Sequence, residues 1–300
     1  MTSSLLVAST VEEATRELAE GARVVAGGTD LVVGARQGKA PLPERIVAIH
    51  RLRELRDVNE AGGVLHLGAL VSHAELVTNP TVRSRLTALA DASAIVGSHS
   101  TRAQGTIGGN LMNASPAMET GGPLLCFDAS VTLRSATDTR TLAIDELLAG
   151  PGKTTAAPDE LLESVQVPLP NDGGGSCYLR LEYRRQMEIA VVGTTAVLAL
   201  EGDRVVHARL AITALAPTIR RVPDAEAALL GSDGGSEAAR SAAEAMAAAS
   251  QPISDVRASL EYRRAMAAVI ARRAIEAAVA RARGEVVSIP ASPALHGGLQ

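Results

Sequence analysis

Between positions 168 and 176 the chain reads Pro-Leu-Pro-Asn-Asp-Gly-Gly-Gly-Ser, and this stretch constrains the fold more than any other. Its prolines remove backbone donors and its three consecutive glycines remove stiffness, so neither helical nor strand periodicity survives there. A boundary is expected, dividing the chain into two units. With 300 residues, 46% of them hydrophobic, there is enough apolar surface for a core on each side of it.

The part before the boundary mixes both periodicities. Thr10-Val11-Glu12-Glu13 has the form of a capping box, and Val11, Ala14 and Leu18 recur at helical spacing until Gly21, which predicts a helix over 11–20. Residues 23–26 read as a strand, Gly27-Gly28-Thr29-Asp30 as a tight turn, and 45–49 as a second strand, a compact unit of βαβ type. A strand over 64–68, a helix over 81–96 beginning just past Pro80, and a strand over 130–134 follow. Beyond the boundary, 177–185, 190–200 and 204–213 read as three strands of an antiparallel meander, and the alanine-rich stretches 236–250 and 258–282 as helices.

Composition removes several function classes. The formal charge is 29 − 33 = −4, and the aromatic side chains are Phe127, Tyr178, Tyr183 and Tyr262, so a nucleic-acid partner would find neither a basic face nor a stacking platform. Cys126 and Cys177 are too few for a disulfide framework or a four-thiolate cluster, which suits a reducing compartment. No apolar run approaches about 18 residues and the N-terminus has no positively charged leader, so a cytoplasmic protein without a membrane span is expected. His50, His66, His73, His99, His207 and His296 form no H-E-x-x-H pattern, and Ser98-His99-Ser100 lacks the G-x-S-x-G elbow. Neither a metal site nor nucleophilic hydrolysis is expected. These imidazoles read as surface groups or hydrogen-bonded core residues.

Two glycine-rich loops remain. Ala26-Gly27-Gly28-Thr29-Asp30-Leu31 follows a strand directly, and Gly105-Thr106-Ile107-Gly108-Gly109-Asn110 comes about 80 residues later. Alone, a Gly-Gly pair reads as a strand-ending turn, and the G-x-G-x-x-G spacing of a Rossmann site is absent. Together, two such loops on different elements can clasp a dinucleotide pyrophosphate from opposite sides through backbone N–H groups.

These two loops, then Asn113-Ala114-Ser115-Pro116-Ala117, Asp159-Glu160-Leu161-Leu162, Arg184-Arg185-Gln186-Met187-Glu188-Ile189-Ala190 and Glu261-Tyr262-Arg263-Arg264, closely resemble the FAD-binding medium subunit of molybdenum hydroxylases, the family of carbon monoxide dehydrogenase and xanthine dehydrogenase flavoproteins. The resemblance covers nearly the whole chain. It implies an α+β fold: a vanillyl-alcohol-oxidase, or PCMH-type, FAD-binding domain over 1–170 in two α+β subdomains of about 1–57 and 58–170. A C-terminal domain over 176–285 would follow, a three-stranded antiparallel sheet packed on helices.

Carried over position by position, the resemblance places Ala26, Gly27, Gly28, Thr29, Asp30 and Leu31, with Thr106, Ile107, Gly108, Gly109 and Asn110, along the FAD pyrophosphate and ribityl. Ser115 belongs to the same cofactor-binding set. Leu162 would lie against the flavin, Arg180 stands where relatives often place a lysine near the isoalloxazine, and Glu119 stands where they commonly carry aspartate. Because a carboxylate beside a pyrophosphate is repelled by on the order of several kcal/mol, the phosphate contact is assigned to backbone N–H groups, and Asp30 is expected to cap nearby donors.

The implied function is electron transfer. Non-covalent FAD would accept electrons from an iron–sulfur partner and pass them to an external acceptor, with no catalytic acid or base in this chain. Molybdopterin and [2Fe-2S] clusters would lie only in partner subunits, a large and a small one, in a heterotrimer or a dimer of heterotrimers. Two other readings are a stand-alone flavin oxidase or dehydrogenase of a small organic substrate and a non-catalytic nucleotide-binding assembly subunit.

Overall fold

The structure, a computed structural model, describes residues 4–38, 40–171, 173–184 and 186–287. Asp172 of the expected boundary, Arg185 of the matched segment and His296 lie outside the described residues.

The first unit is β1 (Ser4–Val7), α1 (Val11–Ala19), β2 (Arg23–Val25), α2 (Leu31–Arg36) and β3 (Arg45–Ala48), whose strands form a parallel sheet of order β1-β3-β2. Helix α1 forms as expected: the Thr10 hydroxyl accepts from the Glu13 N–H at 3.1 Å, and Val11, Ala14 and Leu18 are buried on one face. The Glu13 carboxylate accepts from the Ser9 N–H at 2.7 Å, one residue earlier than a capping box requires. Strand β1 and helix α2 carry too little pattern to be read locally. Four residues cannot establish an alternation, and α2 leaves Val32 and Val33 exposed.

A 3-10 turn at Arg53–Arg56 leads to the second unit. Its elements are β4 (Val58–Ala61), β5 (Val64–Gly68), α3 (His73–Thr78), α4 (Pro80–Arg85), α5 (Thr87–Ala94), α6 (His99–Gln104), α7 (Ile107–Asn113), α8 (Gly121–Cys126), β6 (Ser130–Arg134), β7 (Thr139–Ala143), α9 (Ile144–Leu147), β8 (Leu148–Gly150), β9 (Lys153–Thr154) and β10 (Leu161–Pro168). Strand β10, last in sequence, enters between β5 and β6, giving an antiparallel sheet of order β4-β5-β10-β6-β7, with β8 and β9 as a separate small hairpin. Leu65, Leu67, Val131, Leu133, Val165 and Val167 alternate inward on the three central strands and meet Leu89, Leu111 and Leu124 from the helices. Each such burial contributes about 1.5–3 kcal/mol.

The helix expected over 81–96 is two helices, and the first begins at Pro80 itself. At the fully buried Leu86 the backbone leaves helical geometry (φ −119°, ψ 48°). The break releases the Ala88 N–H to donate to the Ser176 hydroxyl at 2.9 Å, while the Thr87 hydroxyl donates to the Ser176 carbonyl at 2.7 Å. Contact with a strand nearly ninety residues away therefore overrides local helical propensity.

The third unit comprises β11 (Gly174–Leu181), β12 (Val192–Glu201), β13 (Arg204–Thr213), β14 (Arg220–Arg221), α10 (Pro223–Leu229), α11 (Ser236–Ala249) and α12 (Leu260–Ala282). The meander is present, but a short fourth strand extends it to β11-β12-β13-β14, antiparallel throughout. Strand β11 starts inside the glycine run. A β-carbon on Gly175 would overlap the Ala278 carbonyl oxygen and the Ala282 nitrogen, so this glycine lets α12 lie directly on the strand rather than loosening a linker. No helix of the described residues is long and apolar enough to cross a membrane.

Candidate functional site

Parallel pairing brings the C-terminal ends of β2 and β3 side by side, so the loops leaving them open at the same edge of the sheet. In α/β sheets that edge is where ligands are received. A cleft of about 300 Å³ lies here, lined by Ala26 and Gly27 after β2, by His50 and Arg56 after β3, and by Ser72 and Thr106 from the second unit. The two glycine loops touch at its wall. A β-carbon on Gly27 would overlap the carbonyl oxygen of Gln104, and one on Gly105 would lie 3.5 Å from the Thr29 hydroxyl.

The loops contribute unequally. Gly28 adopts φ +69°, which glycine tolerates and a side chain resists, and among the described residues nothing accepts from the N–H groups of Gly27, Gly28 and Thr29. Three consecutive free donors, the first of them lining the cleft together with Arg56, suit a pyrophosphate. In the second loop every donor but the Thr106 N–H is committed, among the described residues. Ile107 N–H donates to Val71 O at 2.9 Å, Gly108 N–H to Ala69 O at 3.0 Å, Gly109 N–H to the Thr106 hydroxyl at 3.0 Å and Asn110 N–H to Thr106 O at 2.9 Å. The symmetric backbone clasp expected from sequence is thus uneven: the first loop holds three consecutive free amides, and the second supplies a wall, the Thr106 hydroxyl and the single open amide of Thr106. Gly108 is needed for packing, since its β-carbon would come within 2.8 Å of Ala69 O.

Asp30 occupies the N-cap of α2 but has helical geometry (φ −94°, ψ −46°), and its side chain makes no capping hydrogen bond to that helix. The capping role expected for it is corrected accordingly. Leu31 begins the same helix. Ser115 accepts from the Ala117 N–H at 3.2 Å and shapes the turn after α7. Leu162 is buried in the core of the second unit, away from the lining of the cleft.

Glu119 and Arg180 come together at a second locus, where the second and third units meet. Arg180 Nη1 donates to the Glu119 carboxylate at 2.5 Å, Arg180 also pairs with Glu182, and all but the rims of these side chains are buried. Burial pushes the Glu119 carboxyl up against the pull of Arg180; burial also opposes the charge on Arg180, but Glu119 and Glu182 outweigh it. A short relay ties this locus to the second loop, since the Thr120 hydroxyl donates to Asn110 Oδ1 at 2.6 Å.

Sequence reasoning missed His50, Arg56, Ser72, His73 and Arg102. The first two could have been found from the rule that the carboxyl ends of parallel strands face ligands, had β1 been recognised. Ser72 caps α3 in a complete capping box with Glu75. His73 is not the hydrogen-bonded core imidazole that the sequence suggests: it is buried, among the described residues its Nδ1 has no partner, and burial and then the nearby Arg102 lower its pKa to about 4. A larger groove of about 540 Å³ runs along the seam past Thr87, Asp91, Ser176 and Arg281, but it contains none of the residues expected at the cofactor.

Residues 1–170 match the family described as the FAD binding domain in molybdopterin dehydrogenase, and residues 177–278 match the CO dehydrogenase flavoprotein C-terminal domain. The carbon monoxide dehydrogenase medium chain of Hydrogenophaga pseudoflava is 31% identical over 265 residues, 88% of this chain and 92% of that one. The 6-hydroxypseudooxynicotine dehydrogenase complex subunit alpha of Paenarthrobacter nicotinovorans is 32% identical over 284 residues, 93% of this chain and 95% of that one. The fold superimposes on a chain of the solved Hydrogenophaga pseudoflava carbon monoxide dehydrogenase with a TM-score of 0.90 at 31% identity, covering 94% of this chain and 98% of that one. It superimposes on a chain of quinoline 2-oxidoreductase from Pseudomonas putida 86 with a TM-score of 0.88 at 26% identity, covering 94% and 98%.

Proposed function

The chain belongs to the family of FAD-binding subunits of molybdenum hydroxylases, FAD-dependent oxidoreductase subunits, and from that premise we propose that it is the electron-transfer module of a larger complex. The supporting observation is the cleft between the two glycine loops. The free N–H groups of Gly27, Gly28 and Thr29 and the cation of Arg56 answer a pyrophosphate, and Gly27 lets the loops close against each other. When bound, FAD supplies the exchange of one or two electrons, and the protein orients and tunes it.

In this reading Ala26, Gly27, Gly28, Thr29, Asp30 and Leu31 hold one side of a non-covalently bound FAD, and Thr106, Ile107, Gly108, Gly109 and Asn110 the other. Ser115, Glu119, Leu162 and Arg180 complete its surroundings. The FAD-binding domain spans 1–170, with subdomains of about 1–57 and 58–170, and the C-terminal domain spans 176–285. Electrons arrive from [2Fe-2S] clusters in a small partner and leave to an external acceptor, while substrate reacts in a large molybdopterin subunit. Cys126 and Cys177, both buried with their thiols pushed well up by burial, serve as core residues, in keeping with a cytoplasmic, reducing setting.

Purification after co-expression with its neighbouring subunits tests this. The expected result is a hetero-oligomer whose flavin is bleached by substrate of the complex, and a yellow chromophore released into the supernatant by acid. An isolated chain that turns over a small organic substrate at about 1–1,000 per second would replace the subunit reading with a stand-alone oxidase.

A further inference from the structure

Arg102 lies on α6 and is followed by Ala103 and Gln104, which line the cleft, while its own side chain is set behind that lining. It is only 7% exposed, yet its one hydrogen bond among the described residues is from Nη1 to the Val96 carbonyl at 3.0 Å. No described carboxylate lies within ion-pairing distance. The remaining N–H groups are not sealed in the protein, since none falls among the fully enclosed atoms that lack partners.

Its charged surroundings make this arrangement unfavourable. Arg180 faces it with the same sign, and the Arg180 charge is already taken up by Glu119 and Glu182. His73 is also near, and with its pKa lowered to about 4 it is neutral near pH 7, so it adds no second cation there but supplies no counter-charge either. A desolvated guanidinium without an anion is costly, and a neutral carbonyl offsets only part of that cost.

We propose that Arg102 is an anion-binding residue for the flavin nucleotide, its counter-charge arriving only with the cofactor. The inference rests on the FAD reading above. Two negative groups of one ligand could supply the charge, the pyrophosphate or the flavin ring in its anionic reduced form, and the recognition chemistry is the same: a guanidinium donating to anionic oxygen or nitrogen.

The test uses the full chain, stripped of flavin, as wild type, Arg102→Gln and Arg102→Lys. Titrations with FAD and with ADP follow intrinsic fluorescence or heat, the midpoint potential of the reconstituted flavin is measured, and thermal melting is recorded with and without FAD. Arg102→Gln is expected to melt, without FAD, no lower than wild type, because an unpaired buried charge has been removed, and to lose most of the FAD-induced rise in melting temperature. Arg102→Lys should recover part of that rise.

If the pyrophosphate is the source, Arg102→Gln weakens both FAD and ADP at least tenfold. If the reduced ring is the source, ADP binding is unchanged and the flavin midpoint potential falls. Wild-type protein that takes up FAD, beside an Arg102→Gln variant with the same affinities, potential and FAD-induced stabilisation, overturns the inference and leaves the FAD reading standing. A flavin-free Arg102→Gln or Arg102→Lys variant that melts far below wild type also overturns it, assigning Arg102 to the support of Val96. Wild-type protein that takes up no FAD overturns both.

Discussion

Arg281, at the end of α12, holds Asp91 of α5 through two hydrogen bonds of 2.7 and 3.1 Å, although 190 positions separate them. Asp91 is completely buried and also accepts from the Tyr178 N–H at 3.1 Å; Arg281 further donates to the Ser176 carbonyl. The pair thus joins the helical layer of the second unit to both the sheet and the last helix of the third. Burial raises the Asp91 carboxyl to about 6 even with Arg281 beside it, so the ion pair is sustained only while both partners are present.

Removing one partner should therefore be far worse than removing both. Arg281→Met leaves the Asp91 carboxylate enclosed and is expected to lower stability by about 3–5 kcal/mol. The double variant Asp91→Leu with Arg281→Met should recover most of that loss. Urea unfolding of the two single variants, the double variant and wild type measures the coupling; strictly additive losses would refute it.

Gly27 should tolerate substitution less well than Gly109. A β-carbon on Gly27 overlaps the Gln104 carbonyl, whereas one on the exposed Gly109 meets only the Thr106 hydroxyl of its own turn at 3.0 Å. Gly27→Ala is expected to separate the loops and give protein that purifies with little flavin, while Gly109→Ala retains most of it. The flavin-to-protein absorbance ratio of the purified variants decides the order.

Acid stability should report on His73. Its folded pKa of about 4 lies below the ordinary value of 6.5, so between these values the unfolded chain binds a proton that the folded one refuses. Stability from this group is full above about pH 6.5 and declines as pH falls toward about 4, by about 3 kcal/mol in all. Denaturation midpoints of wild type and His73→Gln across pH 4–7 should converge at the acid end if this is so. A constant difference would contradict it.

Gly175→Ala should disturb the third unit without reaching the cleft. The added methyl would drive α12 away from β11, since it overlaps backbone atoms of Ala278 and Ala282 that cannot rotate aside. A loss of several kcal/mol is expected, in the range of overpacked or backbone-strained core positions. Hydrogen exchange should show faster opening of α12, with the amides of β2 and β3 unchanged.

Several features of this protein were legible in its sequence because they depend on near neighbours. The Thr10 cap, the alternation in β5 and β6, the alanine-rich helices α11 and α12 and the two glycine loops all have causes within one or two turns of chain. The ordered set of motifs sufficed for the family, since close backbone approach at a cofactor demands glycine at set positions whatever surrounds them.

Tertiary structure alone decided which of those groups are free to act. The amides of 107–110 look available in sequence and are spent on Val71, Ala69 and Thr106; the amides of Gly27, Gly28 and Thr29 remain open. The glycine run at 173–175 looks like a linker, yet Gly175 is the contact that seats α12. Arg102 looks like an ordinary helical arginine, and only its burial beside Arg180, without a carboxylate, gives it a role. The physical reason is common to all three. Local propensity depends on a residue's own conformation, whereas desolvation, hydrogen-bond satisfaction and steric closeness depend on which distant atoms the fold brings within a few ångströms.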